Sequence, residues 1–489
     1  MVIFERYSTA SNPNLSTPRK RQKGGRAPMS SAPNHDNRKL VERLTALVGA
    51  EIVHGDAVAL ESYSRDATPL FHGLPEVVVT PRSTQEVVEI VKFAASTKTP
   101  IIARGAGSNL CAATVPLNGG IVLSMNKMNK ILEVNRAQML AVVQPGVTNQ
   151  ILDETVAKDG LMFVPDPGSK NVSTIGGNVA TSAGGLRGLK YGTTRNYILG
   201  LEAVLGTGEV IRTGGRLVKD VAGYDVTRLL VGSEGTLAVI TRVWLRAHPL
   251  PEVERRAAFV FTSFSDGIEA CRRIIRAGAT PAVLRLYDGT ESKRSHGGDG
   301  TQCTLLVLDE GTESIVDGTM SVVFDTCKEM GAADGDVALI EAWMHHRNDT
   351  SGLQALTRKG FVVDTMEVAA NWGHLDSVVE AVESAMLAVP HARSATCHLS
   401  HSYIEGACVY FTFAATPEEA DFESTYLAMW KAGQEAGLTS GANLSHHHGI
   451  GYSRSQFMEQ ALGTSMGVLR AVKKALDPNG ILNPGKLGL

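Results

Sequence analysis

The sequence predicts an α+β protein in two parts, a glycine-rich α/β half with two subdomains followed by an α+β cap. Three observations carry this. A strand, helix, strand and glycine turn follow one another between Pro75 and Leu110, which is an α/β unit. Four glycine clusters fall before residue 250. Past Pro249 the strands alternate with helices and no further glycine turn of that kind appears. At 489 residues the chain is also too long for one hydrophobic core. The expected division is a basic leader at 1–36, an α/β domain at 37–250, a cap at 251–440 and a closing segment at 441–489.

An apolar share of 43% and a charged share of 20% are those of an ordinary folded chain. The net charge of -3 gives no basic surplus of the kind a nucleic-acid partner usually requires. Six cysteines, Cys111, Cys271, Cys303, Cys327, Cys397 and Cys408, form no CxxC pair, so they read as reduced thiols. No apolar run reaches the ~18 residues that span a bilayer. A soluble, cytoplasmic protein is expected, and a homodimer is compatible with the sequence without being required by it. The first 28 residues carry Arg6, Arg19, Lys20, Arg21, Lys23 and Arg26 against Glu5. Three readings stand open there: a disordered leader, translation starting at Met29, or a transit-type or nucleic-acid-binding tail.

Folded pattern begins near Asn37. Leu40, Leu44 and Val48 share one face of a helix. Pro75-Glu-Val-Val-Val-Thr-Pro81 reads as a short strand. Ser83 caps the next helix, with Glu86 placed for a capping box. Pro100 to Arg104 is a buried strand running into Gly105. Further strands are expected at 121–124, 140–143, 199–205, 209–212 and 236–245, and a helix near Thr148. In the second half, 257–262, 305–308 and 409–414 read as strands.

The glycines point to a ligand. Arg104-Gly-Ala-Gly-Ser-Asn-Leu110 follows a strand, where glycines let backbone N–H groups turn toward an anion. It departs from the dinucleotide fingerprint because Leu110 stands at the third glycine position. Pro165-Asp-Pro-Gly-Ser-Lys170 is a rigid loop. Thr174 to Gly185 is dense in small residues that let backbone approach a flat ligand, and Gly232-Ser-Glu-Gly-Thr236 enters a strand. Four such clusters in one half imply a nucleotide-like cofactor.

The segments PRSTQEVVEIV, RGAGSNL, PDPGS, STIGGNVATSAGG, KYGTTRNYILGLEAVLGTGEV, KDVAGYDVTRLLVGSEGTLAVIT and LDPNGILNPGK resemble the FAD-binding vanillyl-alcohol-oxidase-like (PCMH-type) flavoproteins, and within them the glycolate oxidase subunit and D-lactate dehydrogenase branch. The later segments DTMEVAANW, CHLSHSYIEGACVYFTF and SHHHGIGYSR are similar to alkyldihydroxyacetonephosphate synthase. The resemblance implies a PCMH-type FAD domain under a substrate cap. It implies that Arg104, Gly105, Ala106, Gly107, Ser108, Asn109, Asp166, Pro167, Gly168 and Ser169 line the FAD pyrophosphate. Thr174, Gly177, Asn178, Gly184, Gly185 and Tyr191 would line the cofactor further along, and Glu234, Gly235 and Ile240 its adenine end. The first loop holds no histidine, so noncovalent FAD is expected, with attachment through Cys111 the lesser alternative. Where the hydroxy-acid branch reads GEHGIG and HxGDGNxH, this chain has His447 for the glutamate and no GDGN, so no metal is expected.

Flavin chemistry asks the protein to place the substrate and move one proton, which favours histidine. Ser445-His-His-His-Gly-Ile-Gly451 is the best source, an exposed polar loop being the other reading. Read as extended backbone it puts His446 and His448 on one face and His447 on the other. His398 and His401 form a weak metal pair, and His345-His346 reads as surface. Tyr410 is either strand core or, by its place in the resemblance, an acid/base group. Arg285 interrupts an apolar strand, so it is either a buried ion pair or a fork for carboxylate or phosphate. Arg454 is the other candidate fork. The expectation is oxidation of a small D-2-hydroxy acid by hydride transfer to FAD, with an unnamed electron acceptor. The alternatives are a transferase of the alkyl-synthase type without net redox, and a flavin-binding subunit that works only in an assembly.

Overall fold

The computed structural model describes residues 37–349 and 351–489; the basic leader lies outside the described residues. Three sheets carry the architecture. In the first, the strands Val77–Val79, Ile121–Ser124 and Ile101–Arg104 run parallel, with Val53–His54 antiparallel at one edge. Helix Thr84–Thr97 crosses over between Val77–Val79 and Ile101–Arg104 and buries Val87, Ile90, Val91 and Ala94 against Ile101, Ile121 and Leu123. Ser83 Oγ accepts from Glu86 N as the capping signal predicts. The reciprocal bond slips by one residue: Glu86 accepts from Arg82 N.

The second sheet is antiparallel, in the order Ile131–Asn135, Leu140–Val143, Ala238–Arg246, Ile198–Leu205, Val210–Gly214. Short helix Ile175–Thr181, capped by Thr174 Oγ1 on Gly177 N, sits against its core with Ile175 and Val179 buried.

The chain changes sheet between Pro249 and Val253. The third sheet has seven antiparallel strands, ordered Ala333–Asp334, Val253–Phe261, Cys303–Gly311, Val283–Tyr287, Ala392–Ser402, Gly406–Ala415, Val362–Asn371. Its side chains alternate with period two. Leu284, Leu286, Cys397, Leu399, Val409, Phe411 and Phe413 face a core shared with helices Phe264–Arg276, Glu313–Glu329, Leu375–Leu387 and Phe422–Thr439. Arg285, Tyr287, His398, Ser400, Tyr410 and Thr412 occupy the opposite face and line a cavity.

The last segment returns to the first half. Leu482 bridges to Ile101, Asn483 Nδ2 donates to the carbonyls of Ala113 and Glu234, and buried Lys486 donates to Val115 O. Gly451 explains a glycine in this contact: it has φ +51°, and a Cβ there would lie 2.0 Å from Cys111 O. No helix among the described residues is long and apolar enough to cross a membrane.

Candidate active site

A cavity of about 1150 Å³ separates the glycine loops from the cap sheet, at the upper end of single-ligand sites and so roomy enough for a cofactor and a substrate together. Its lower wall brings together 18 of the 19 cofactor-site residues expected from the sequence: the loops at 104–109 and 166–169, Thr174, Gly177, Asn178, Gly184, Gly185, Glu234, Gly235 and Ile240. Tyr191 is the exception. It packs edge-on against His248 at 5.2 Å and does not line the cavity.

This wall has the chemistry of a dinucleotide cradle. Among the described residues, the N–H groups of Ala106, Gly107, Ser108 and Asn109 donate to no backbone carbonyl. Gly107 holds φ +71° with Arg104 Nη2 2.3 Å from where a Cβ would stand, so the turn needs glycine. Ser173 Oγ and Asn178 Nδ2 are buried on the cavity wall with no protein partner, and such groups in a folded protein call for a ligand or water. Asp166 is held rigid by Arg187 at 3.0 Å and Arg347 at 3.1 Å, and Arg187 reaches on to Glu310 of the cap. Cys111 is fully buried and does not line the cavity.

The upper wall carries the reactive groups. Arg285 lies between the rings of Tyr287 and Trp343, at 5.6 and 5.5 Å. It hydrogen-bonds His398 Nε2, and because a guanidinium only donates, His398 must carry its proton on Nδ1, which donates to Glu291 Oε2 at 2.7 Å. Burial and the Arg285 charge push the His398 pKa down to about 4. Glu291 also takes Arg294. No carboxylate of the described residues pairs directly with Arg285, so the buried ion pair that one reading of the sequence allowed is absent. Tyr410 stacks between His398 at 4.9 Å and His447 at 5.9 Å. Its hydroxyl donates to Thr365 Oγ1 at 3.0 Å, and burial raises its pKa to about 12.

The histidine loop departs from the extended reading. Glu367, fully buried, accepts from the backbone N–H groups of His447 and His448, from Ser445 Oγ and from Arg454 Nη1, and this curls the segment around one carboxylate. His447 and His448 therefore both line the cavity, while His446 does not. Burial opposes ionisation of Glu367, but Arg454, His448 and the hydrogen bonds from Ser445 and the His448 amide together outweigh it and hold the carboxyl below its ordinary range. Arg454 itself has no exposed surface, gives its Nη1 to Glu367, Ser445 and Gly449 O, and does not line the cavity. It cannot hold a substrate carboxylate. Burial lowers the pKa of His446, His447 and His448, the last to about 4, so all three are neutral near pH 7.

His401 also reaches the cavity, because a bulge between Leu399 and His401 breaks the alternation. Its Nε2 donates to Gly185 O at 3.0 Å and its Nδ1 accepts from Ser400 Oγ at 2.9 Å. Ligating atoms of His401, Cys408, His446 and His447 lie within 4.8 Å of one another. His346, expected at the surface, is exposed and at the same time lines the cavity mouth. Sequence reasoning missed Glu367, Glu291 and Trp343. The first had a signal: an acid inside the apolar run Val362–Asn371 needs a buried partner, as Arg285 did.

Residues 75–214 match the FAD binding domain family, and residues 250–487 match the C-terminal domain of FAD linked oxidases. The chain belongs to the FAD-linked oxidase family. FAD is its cofactor. The glycolate oxidase subunit GlcD of Bacillus subtilis (strain 168) is 33% identical over 456 residues, 91% of this chain and 96% of that one. A D-lactate dehydrogenase of Anaerostipes hadrus is 28% identical over 473 residues, 92% and 97% of the two chains. A solved alkyldihydroxyacetonephosphate synthase shares the fold with a TM-score of 0.77 at 24% identity, covering 93% of this chain and 87% of its own. The PCMH-type architecture expected from the motifs is thus the observed one.

Proposed function

We propose that this FAD-linked oxidoreductase oxidises a small D-2-hydroxy acid. The observation that carries the reading is Arg285, a guanidinium on the cavity wall with no carboxylate of its own and neutral histidines around it. Arg285 takes the substrate carboxylate, and Tyr287 and Trp343 hold its plane. His447 or His448, neutral and on the same wall, takes the hydroxyl proton. Tyr410 keeps the imidazole of His447 in place by stacking. Bound FAD, held noncovalently by residues of the lower wall, supplies the acceptor for the carbinol hydride. In this scheme residues 37–250 hold the cofactor, 251–440 form the cap, and 441–489 bring the base. That two relatives are named for glycolate and D-lactate supports the substrate class.

The test is anaerobic. Holoprotein is mixed in turn with D-lactate, glycolate and D-2-hydroxyglutarate while the flavin absorbance band is followed. Bleaching by any of them supports the reading, and an unchanged oxidised spectrum with all three refutes it. A second reading is a group transfer without net oxidation. It is favoured by the histidine loop, which carries His447 where the hydroxy-acid branch carries glutamate. A turnover assay with an acyl-dihydroxyacetone phosphate and no bleaching would select it.

A further inference from the structure

We propose that His447, His446 and Tyr403 form a proton relay that carries the substrate's hydroxyl proton from the cavity to the cap surface; this rests on the hydroxy-acid reading, with His447 as the base. His447 lines the cavity and His446 lies behind it. The two rings meet Nδ1 to Nδ1 at 2.9 Å, and His446 Nε2 lies 2.8 Å from Tyr403 Oη. Tyr403 is half-buried at the hairpin between Ala392–Ser402 and Gly406–Ala415, next to exposed Ile404 and Glu405. Its backbone there is fixed by Gly406 O and by Trp372 Nε1 on its carbonyl.

A neutral imidazole carries one N–H, so two consecutive hydrogen bonds through these rings must point the same way. In one arrangement His447 Nδ1–H donates to His446 Nδ1, and His446 Nε2–H donates to Tyr403 Oη. His447 Nε2 is then a lone pair available to the cavity. When the substrate O–H bond breaks, that proton forms an N–H bond at His447 Nε2. The Nδ1 proton of His447 passes to His446 Nδ1, the Nε2 proton of His446 passes to Tyr403 Oη, and the phenol's own proton goes to water. The hydride leaves from carbon, so the substrate loses one hydride and one proton. No charge is left on the buried rings, where burial makes a cation costly. The chain resets after product departs by the reverse shift, one proton leaving His447 Nε2 to cavity water while another enters at Tyr403 Oη, so the relay is the exit used while the substrate still fills the cavity.

His401 takes no part, since both its nitrogens are engaged by Gly185 and Ser400. Nor does His448, whose Nδ1 makes no hydrogen bond and faces Glu367 Oε1 at 3.9 Å. The relay explains why the loop carries a histidine at 446, a position outside the cavity.

The test uses stopped-flow reduction of the holoprotein with a pH-indicator dye, comparing wild type with Tyr403→Phe and His446→Gln. FAD content is measured first to show that each variant holds cofactor. In wild type, proton release accompanies bleaching. In both variants bleaching is expected to slow roughly tenfold or more, with proton release lagging until product leaves and with the solvent isotope effect on bleaching changed. Wild-type-like rates and release timing in both variants would overturn the relay while leaving the hydroxy-acid reading intact. If wild type itself is not bleached, the hydroxy-acid reading is the part that fails. Stoichiometric zinc in the holoprotein, removable by chelator with loss of the rate, would make His446 and His447 ligands through Nδ1 and would also overturn the relay.

Discussion

Replacing Glu367 by glutamine removes one charge from a fully buried pair and keeps the shape. Arg454 Nη1 lies 3.1 Å from Glu367 Oε2, and neither side chain has exposed surface. Breaking such a pair costs about 3–5 kcal/mol, because the remaining charge is buried without compensation. Here the lower figure applies. Arg454 keeps Ser445 Oγ at 2.7 Å, Gly449 O at 2.9 Å and the face of Trp430 at 4.8 Å, and the glutamine oxygen still accepts from the loop amides. A loss of about 3 kcal/mol corresponds to a thermal midpoint lower by about 3 °C in a chain of this size, read from the release of flavin fluorescence on heating. Flavin reduction by substrate should slow as well, since a neutral amide oxygen holds the N–H groups of His447 and His448 more weakly than the carboxylate does. The double variant Glu367→Gln with Arg454→Met removes both charges and should regain most of the midpoint. A single variant within about 1 °C of wild type, or a double variant less stable than the single, would refute the reasoning.

Arg285→Ala should raise KM for the hydroxy acid about 10- to 100-fold, the worth of a charge-assisted hydrogen bond, with a smaller change in kcat and partial recovery in Arg285→Lys; steady-state kinetics decide. The stability that His398 and His448 contribute should fall as pH drops from about 6.5 to about 4 and stay constant above. His398 and His448 are neutral in the fold with pKa about 4, so over that window the unfolded chain binds the extra protons; thermal midpoints across pH measure it. Gly451→Ala combines a positive φ with a Cβ 2.0 Å from Cys111 O, and should cost about 2 kcal/mol or more, seen as a lowered midpoint. Asn178→Leu removes a buried, unpartnered donor on the cofactor wall, and FAD affinity by fluorescence titration should fall about tenfold.

The lower wall was legible because its signal is local. Gly105 to Gly107 and Gly184 to Gly185 announce close backbone approach within a few residues, and the turns they make need nothing distant. Tyr191 stands off the cavity because its direction depends on His248, which lies in a two-stranded ladder with Leu161–Met162. The upper wall was legible only in its alternation. Arg285, His398 and Tyr410 share a face by period two, but His401 joins them through a bulge that exists only in register with Gly406–Ala415. The histidine loop could not be read at all from its own residues. Glu367, some eighty positions earlier, gathers its amides, and with them decides that His446 turns away and His447 turns in.

The charge arrangement of the upper wall follows from that same division. Acids near the cavity are each spent: Glu291 on His398 and Arg294, Asp166 on Arg187 and Arg347, Glu367 on Arg454. Arg285 is left as a fixed positive charge facing neutral imidazoles. Its field, together with burial, disfavours protonation of His398 and His401. An incoming carboxylate is therefore attracted, on this wall, to a guanidinium that holds no carboxylate, and His447 and His448 on the same cavity are neutral. A lysine at 285 could supply the charge but not the planar stack between Tyr287 and Trp343. A carboxylate placed beside Arg285 would satisfy the guanidinium and close the site to an anion.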